Sequence, residues 1–164
     1  MYYARRSRID FALIEKLEET YILNAMVRTS IPEYPTLFID DFDFGTSIPV
    51  GHHICKSGYG TGSTCGIINT LNSRLALIRG TDFYHITKVN METLENDRGG
   101  TVFYFTFSDD NAYFMISGYG ICSHTYSGNN LAITPLKYII EFQPIRHLFR
   151  NVLFINLNNS GLVP

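Results

Sequence analysis

The sequence predicts an α+β fold: helix-period patterns come first, strand-period patterns follow, and the two do not alternate as a parallel sheet would require. Two observations bound the reading. The 164 residues are 45% apolar and 17% charged, enough for one hydrophobic core and too apolar for a disordered chain. Thirteen basic against fifteen acidic side chains leave a net charge of −2, so no overall field draws the chain to nucleic acid or to an anionic membrane.

The elements follow in order. Between Ser7 and Arg28, Ile14, Leu17, Tyr21 and Ala25 recur at helical spacing among Glu15, Lys16, Glu18 and Glu19, which predicts an amphipathic N-terminal helix. Ser7 and Asp10 resemble a weak capping box, and Pro32 ends the pattern. From Pro32 to Gly62, prolines and glycines predict loops and short extended pieces. Asp40, Asp41 and Asp43 lack the bidentate Glu of a calcium loop and read as an acidic surface turn.

Between Ser63 and Ile78, the spacing of Ile67, Ile68, Leu71, Leu75 and Ile78 predicts a second helix, stopped at Gly80. Period two then takes over. Phe83 to Leu94, Thr101 to Ser108, Ala112 to Ile121 and Leu136 to Phe142 read as four strands, the first three joined into hairpins by turns at Glu95–Gly100 and Asp109–Asn111. Val152 to Leu157 reads as a further extended piece or packed tail. The expected organisation is one domain over 1–164, with a helix and loop-rich extension at 1–60, a core at 62–144 and a tail at 145–164.

The stretch from Asn111 to Leu136 lacks Asp, Glu, Lys and Arg but is studded with polar residues, so no membrane span is expected. The basic start is not followed by an apolar region and a cleavage site, which predicts a cytoplasmic protein. Cys55, Cys65 and Cys122 are an odd set and read as free thiols, with a Cys55–Cys65 bridge left open for an oxidising compartment.

Three constellations bear on chemistry. Gly58-x-Gly60-x-Gly62-Ser63-Thr64 precedes the second predicted helix and could cradle a phosphate, but it lacks a Gly-Lys-Ser/Thr ending and reads better as a flexible loop. Cys122 and His124 would share a face of a strand, as a cysteine nucleophile and its base must. His52, His53, Cys55 and Cys65 do not suit zinc, because the adjacent histidines diverge and no Cys-x-x-Cys pair exists. The aromatic residues read as core and sheet packing, since few basic side chains accompany them between Thr101 and Leu136.

Leu71-Asn72 at the end of the second predicted helix, Phe103-Tyr104-Phe105-Thr106-Phe107 and Tyr138-Ile139-Ile140-Glu141-Phe142-Gln143-Pro144 resemble corresponding pieces of the cystatin/monellin family, above all the cystatin-like proteins of plants. The resemblance covers Gly62 to Pro144. It implies an antiparallel sheet of about four strands packed on one helix, and a non-enzymatic protein-binding domain that acts as a weak or divergent inhibitor of papain-like cysteine proteases. The family's inhibitory pieces are an N-terminal Gly, a Gln-x-Val-x-Gly loop and a Pro-Trp loop. Here only Gly100 fits the first loop, and the chain has no Trp. The expected partner-binding edge is therefore Asn96, Asp97, Arg98, Gly99 and Gly100 with Tyr119 and Tyr126, without cofactor or metal. The alternative is a small α+β enzyme or ligand-binding domain using Cys122/His124 or the Gly58–Thr64 loop.

Overall fold

In the computed structural model, residues 3–5, 9–13, 20, 25–43, 48–76, 82–107, 114–126 and 128–141 are described. Ten strands account for most of them: β1 (Tyr3–Arg5), β2 (Phe11–Leu13), β3 (Met26–Arg28), β4 (Thr36–Phe42), β5 (His53–Gly58), β6 (Gly62–Ala76), β7 (Asp82–Asn90), β8 (Thr101–Phe107), β9 (Phe114–Tyr126) and β10 (Asn130–Pro135). A single 3-10 turn at Glu95–Asp97 and a short helix, α1 (Leu136–Glu141), complete them.

The sheet closes on itself. β5 pairs with β6, β6 with β7, β7 with β10, β10 with β9, β9 with β8 and β8 with β5, every pair antiparallel. The result is a six-stranded barrel, in which closure removes the open edges that a flat sheet would expose. β4 adds to β9 in parallel, β3 pairs antiparallel with β4, and β1 with β2 forms a separate two-stranded sheet.

Alternation builds the core. Ile54 of β5, Ile68 of β6, Val89 of β7, Val102 of β8, Tyr119 and Cys122 of β9, and Leu131 and Ile133 of β10 meet in one buried cluster. Cys55 and Phe103, on the opposite faces of β5 and β8, pack under Val27, Leu37 and Ile39, so β3 and β4 cover the outside of the barrel there. Ile9 and Phe11 seat the segment around β2 against Ile139 of α1.

The α+β expectation is thus corrected to a nearly all-β architecture. The helix expected over Ser63–Ile78 is the long strand β6, and the strand expected from Leu136 is α1. The N-terminal helix is replaced by β2 and β3 where its residues are described, and most of its stripe lies outside them. The Glu95–Gly100 segment does not close a hairpin, because β7 and β8 are not neighbours. β8 and β9 do form an antiparallel pair, while the turn expected at Asp109–Asn111 and the piece at Val152–Leu157 lie outside the described residues. Cys55 and Cys65, directly opposite each other on β5 and β6, form a disulfide, which corrects the free-thiol reading; Cys122 is free and buried. No described helix is long and apolar enough to cross a membrane.

Candidate functional site

The Glu95–Gly100 segment owes its shape to a buried ion pair. Lys56 Nζ lies 2.9 Å from Asp97 Oδ2, and the two side chains are 0% and 1% exposed. Two charges in a barrel interior are costly unless every donor and acceptor is met. Here they are. The other Asp97 oxygen accepts the N–H groups of Gly60 (2.7 Å) and Thr61 (2.9 Å), while Oδ2 also accepts the Leu94 N–H and the Thr61 hydroxyl, each at 2.9 Å. Burial alone would push the Asp97 carboxyl up. The Leu94 and Thr61 N–H groups, the Lys56 ammonium and the Thr61 hydroxyl outweigh it and hold the carboxyl well below the usual range.

This geometry corrects the phosphate-loop reading. Gly58 and Gly62 pair across the end of the β5–β6 hairpin, so no helix follows, and the Gly60 and Thr61 N–H groups already serve an anion of the chain itself. Gly58 and Gly60 leave room for that approach: a Cβ on Gly58 would sit 2.3 Å from Asp97 Oδ1, and one on Gly60 would sit 1.9 Å from Asn96 Oδ1.

Beyond Asp97 the chain is tied to β9. Gly99 N–H donates to Cys122 O at 2.8 Å, and Cys122 N–H donates to Gly100 O at 2.9 Å. Arg98 is thereby carried to the surface beside His124. Its Nη2 lies 3.4 Å from His124 Nε2 and 3.3 Å from Glu95 Oε1. Burial, and then the Arg98 charge, lower the affinity of His124 for a proton. The shift favours the neutral ring, and because a guanidinium only donates, Nε2 is the atom that accepts from Arg98.

A bulge completes the cluster. Along β10, Ala132 and Ile133 face His124 and Cys122, so Ser123 is the extra residue of β9. Its hydroxyl turns away from the barrel partner and donates to Asp10 Oδ2 at 3.0 Å. Ile9 and Phe11 are buried against α1, which leaves Asp10 between them directed toward β9. Asp10, Ser123, His124, Arg98 and Glu95 thus lie in one polar cluster, where three chain segments meet.

The sequence singled out Asp10 only as half of a weak capping box with Ser7, not as a site residue. Its signal was an acid inside the apolar run Ile9-Asp10-Phe11-Ala12-Leu13, unusual unless a partner awaits it. Of the expected edge, Asn96, Arg98 and Gly99 are exposed, whereas Asp97 is buried in its ion pair. Tyr119 lies inside the barrel with its hydroxyl 2.7 Å from Thr87 Oγ1, and burial pushes that phenol up to about 12. Tyr126 is half-buried under Lys88 and joins a cluster with Leu75, Phe83 and Ile86. Cys122 and His124 do not bond to each other, and burial pushes the thiol up to about 12, which leaves no thiolate at neutral pH.

No family model and no curated protein matches the sequence. Solved structures do. The chain is similar to the chymotrypsin of Cellulomonas bogoriensis, at 22% identity over 76% of this chain and 61% of that one, with a TM-score of 0.59. It is also similar to protease A of Thermobifida fusca (16%, 76% and 61%, TM-score 0.60) and to the Nocardiopsis protease (16%, 75% and 60%, TM-score 0.58). The chain spans about three fifths of the length of these proteins. At these identities the likeness shows the fold, that of the chymotrypsin-like serine proteases. The cystatin-like resemblance is overturned, and with it the inhibitor reading: the neighbours are proteases, not protease inhibitors. The expectation of a non-enzyme falls with the resemblance that carried it: the similar structures are those of serine proteases, at 12–22% identity.

Proposed function

We propose that this chain serves a peptide-hydrolysing enzyme of the serine-protease fold and that Asp10 is the carboxylate of its site. The observation that carries the reading is the bulged Ser123, whose hydroxyl fixes Asp10 beside the exposed Arg98–His124 pair on a barrel of this fold. Serine-protease chemistry needs a carboxylate that orients a histidine and stabilises it once it has taken the nucleophile's proton. Asp10 suits that task, being partly sheltered and held in one orientation. His124 does not suit the base, because its accepting nitrogen faces Arg98 and no hydroxyl reaches it. Arg98 and the strand of β9 beside it would face the bound peptide.

The test pairs hydrolysis of a mixed peptide library with labelling by a fluorophosphonate, a reagent that phosphonylates an activated serine with loss of fluoride. A single adduct together with cleavage is expected, and Asp10→Asn should lower turnover by roughly 10³–10⁴ while leaving the circular dichroism unchanged. Absence of both adduct and cleavage, or peptide binding without turnover, would overturn the reading.

A further inference from the structure

We propose that His53, Cys55 and Cys65 form a zinc site when the Cys55–Cys65 disulfide is reduced. The inference stands apart from the proposed peptidase activity and rests on the outer face of the β5–β6 hairpin. Cys55 and Cys65 are directly opposite in the antiparallel register, and His53 precedes Cys55 by two positions on the same strand. Residues two apart on a strand share a face, so all three side chains project from one side of the ribbon. Ile54, between them, turns into the barrel core. One ligand atom from each of the three residues lies within 4.8 Å of the others.

Adjacency of His52 and His53 argues against zinc on sequence spacing, yet only His53 is needed. The second sulfur comes from across the ladder, a proximity that no Cys-x-x-Cys spacing would reveal. Zinc takes nitrogen and sulfur ligands tetrahedrally, with about 2.3 Å to sulfur and 2.0–2.1 Å to nitrogen, so two thiolates on one ion stand roughly 3.8 Å apart. Rotation about the Cα–Cβ bonds of Cys55 and Cys65 would have to open the sulfurs to that separation. His53 and Cys65 are exposed and give the ion a path in, whereas Cys55 is buried beneath β3 and β4, so the ion would sit at the margin of that cover with a water in the fourth position.

The chemistry balances as follows. A dithiol reductant transfers two electrons and two protons to the disulfide; the Cys55–Cys65 bond breaks, two thiols form and the reductant becomes a cyclic disulfide. Zn²⁺ then displaces the two thiol protons to solvent, forms two zinc–sulfur bonds and accepts the imidazole lone pair. The same hairpin is held by a covalent staple in one redox state and by a metal in the other. Zinc itself undergoes no redox change.

The full chain carrying Cys122→Ser, which removes the remaining thiol, is titrated with Zn²⁺ and with Co²⁺ as a spectroscopic substitute, oxidised and after reduction with a non-chelating phosphine. The reduced chain should bind one equivalent with thiolate-to-cobalt charge-transfer absorption, and the oxidised chain should show none. His53→Ala should weaken binding by at least ten-fold, the scale on which even outer-shell partners act. Zn²⁺ should raise the Tm of the reduced chain, and His53→Ala should lose most of that rise. No binding after reduction, equal affinity in His53→Ala, or a reduced chain that neither folds nor refolds with Zn²⁺ would each overturn the proposal.

Discussion

Lys56 and Asp97 are 41 positions apart in sequence and 2.9 Å apart in space, the one on β5 and the other in the turn that precedes β8. This contact decides where Arg98 stands. Lys56→Met would leave the Asp97 carboxylate without its counter-charge in a barrel interior, and breaking such a pair costs about 3–5 kcal/mol. The midpoint of denaturant unfolding should fall accordingly. In a double-mutant cycle, Lys56→Met should cost less on an Asp97→Asn background than alone.

The same pair sets an acid limit. The Asp97 carboxyl is held below its unfolded value, so its stabilising contribution is complete above the ordinary carboxylate range and is lost only as pH falls through the depressed folded value. Thermal unfolding of Asp97→Asn should therefore show a smaller loss of Tm under strongly acid conditions than the parent chain.

His124 acts in the opposite part of the range. Its folded pKa lies below the unfolded one, so the unfolded chain binds the extra proton first. Stability should be complete above the unfolded histidine value and decline as pH falls from near neutral toward the folded value. His124→Asn should flatten that slope in a series of melts between pH 7.5 and 5.5, with the remaining histidines as common background.

Gly99 and Gly100 are adjacent but should respond differently to alanine. A Cβ at Gly99 meets nothing within 4 Å, and the cost there is the left-handed backbone at φ +81°, about 1–2 kcal/mol. At Gly100 a Cβ would sit 2.4 Å from Ser57 O and 2.9 Å from Asp97 O, backbone atoms that cannot swing aside. Gly100→Ala should therefore cost more, at the upper end of the roughly 1–3 kcal/mol of overpacking. Urea unfolding of the two variants makes the comparison.

Cys55 and Cys65 close a short loop, with a sequence separation of 10. A cross-link of this reach stabilises by about 2–3 kcal/mol in the chain-entropy account. Reduction in the presence of a metal chelator should lower Tm by roughly 5–10 °C for a chain of this size. Cys65→Ser should reproduce the loss.

The helix expected over Ser63–Ile78 failed for a reason visible in β6. Ile68, Leu71 and Leu75 are spaced by three and then four, as on a helix face. In the strand the step of three arises because the register shifts between Ile68 and Thr70, inserting one residue into the alternation, and two further shifts, between Thr70 and Ser73 and between Ser73 and Leu75, accompany the step of four. A bulged strand thus imitates a helix, and neither Gly62 at its start nor Ser63 and Thr64 after it distinguish the two.

At α1 the error ran the other way. Leu136, Tyr138, Ile140 and Phe142 alternate, but Pro135 stands just before the element, where proline favours a helix start, and Leu136 and Ile139 repeat at the helical spacing of three. Six residues are too few for periodicity to choose. The β8–β9 pairing was legible because Phe103 to Phe107 alternate without interruption. Of the candidate site, Arg98 was legible as part of the expected binding edge and His124 as the strand neighbour of Cys122. Asp10 was hidden by a capping motif in a helix that does not form at Phe11–Leu13, and the Ser123 bulge depends on β10, whose register no local pattern in β9 discloses.

Closure of the barrel by β10 has a consequence for how the chain is made. During synthesis β5, β6 and β7 can pair as soon as they emerge, each with its predecessor, but the ring waits for residues 130–135, which bind β7 on one side and β9 on the other. Until then two long apolar strands present unpaired ladders, the condition in which nascent chains stick to one another. The demand on chaperones falls in that interval, and a ribosome stalled before Asn130 would release a chain that no amount of waiting could close.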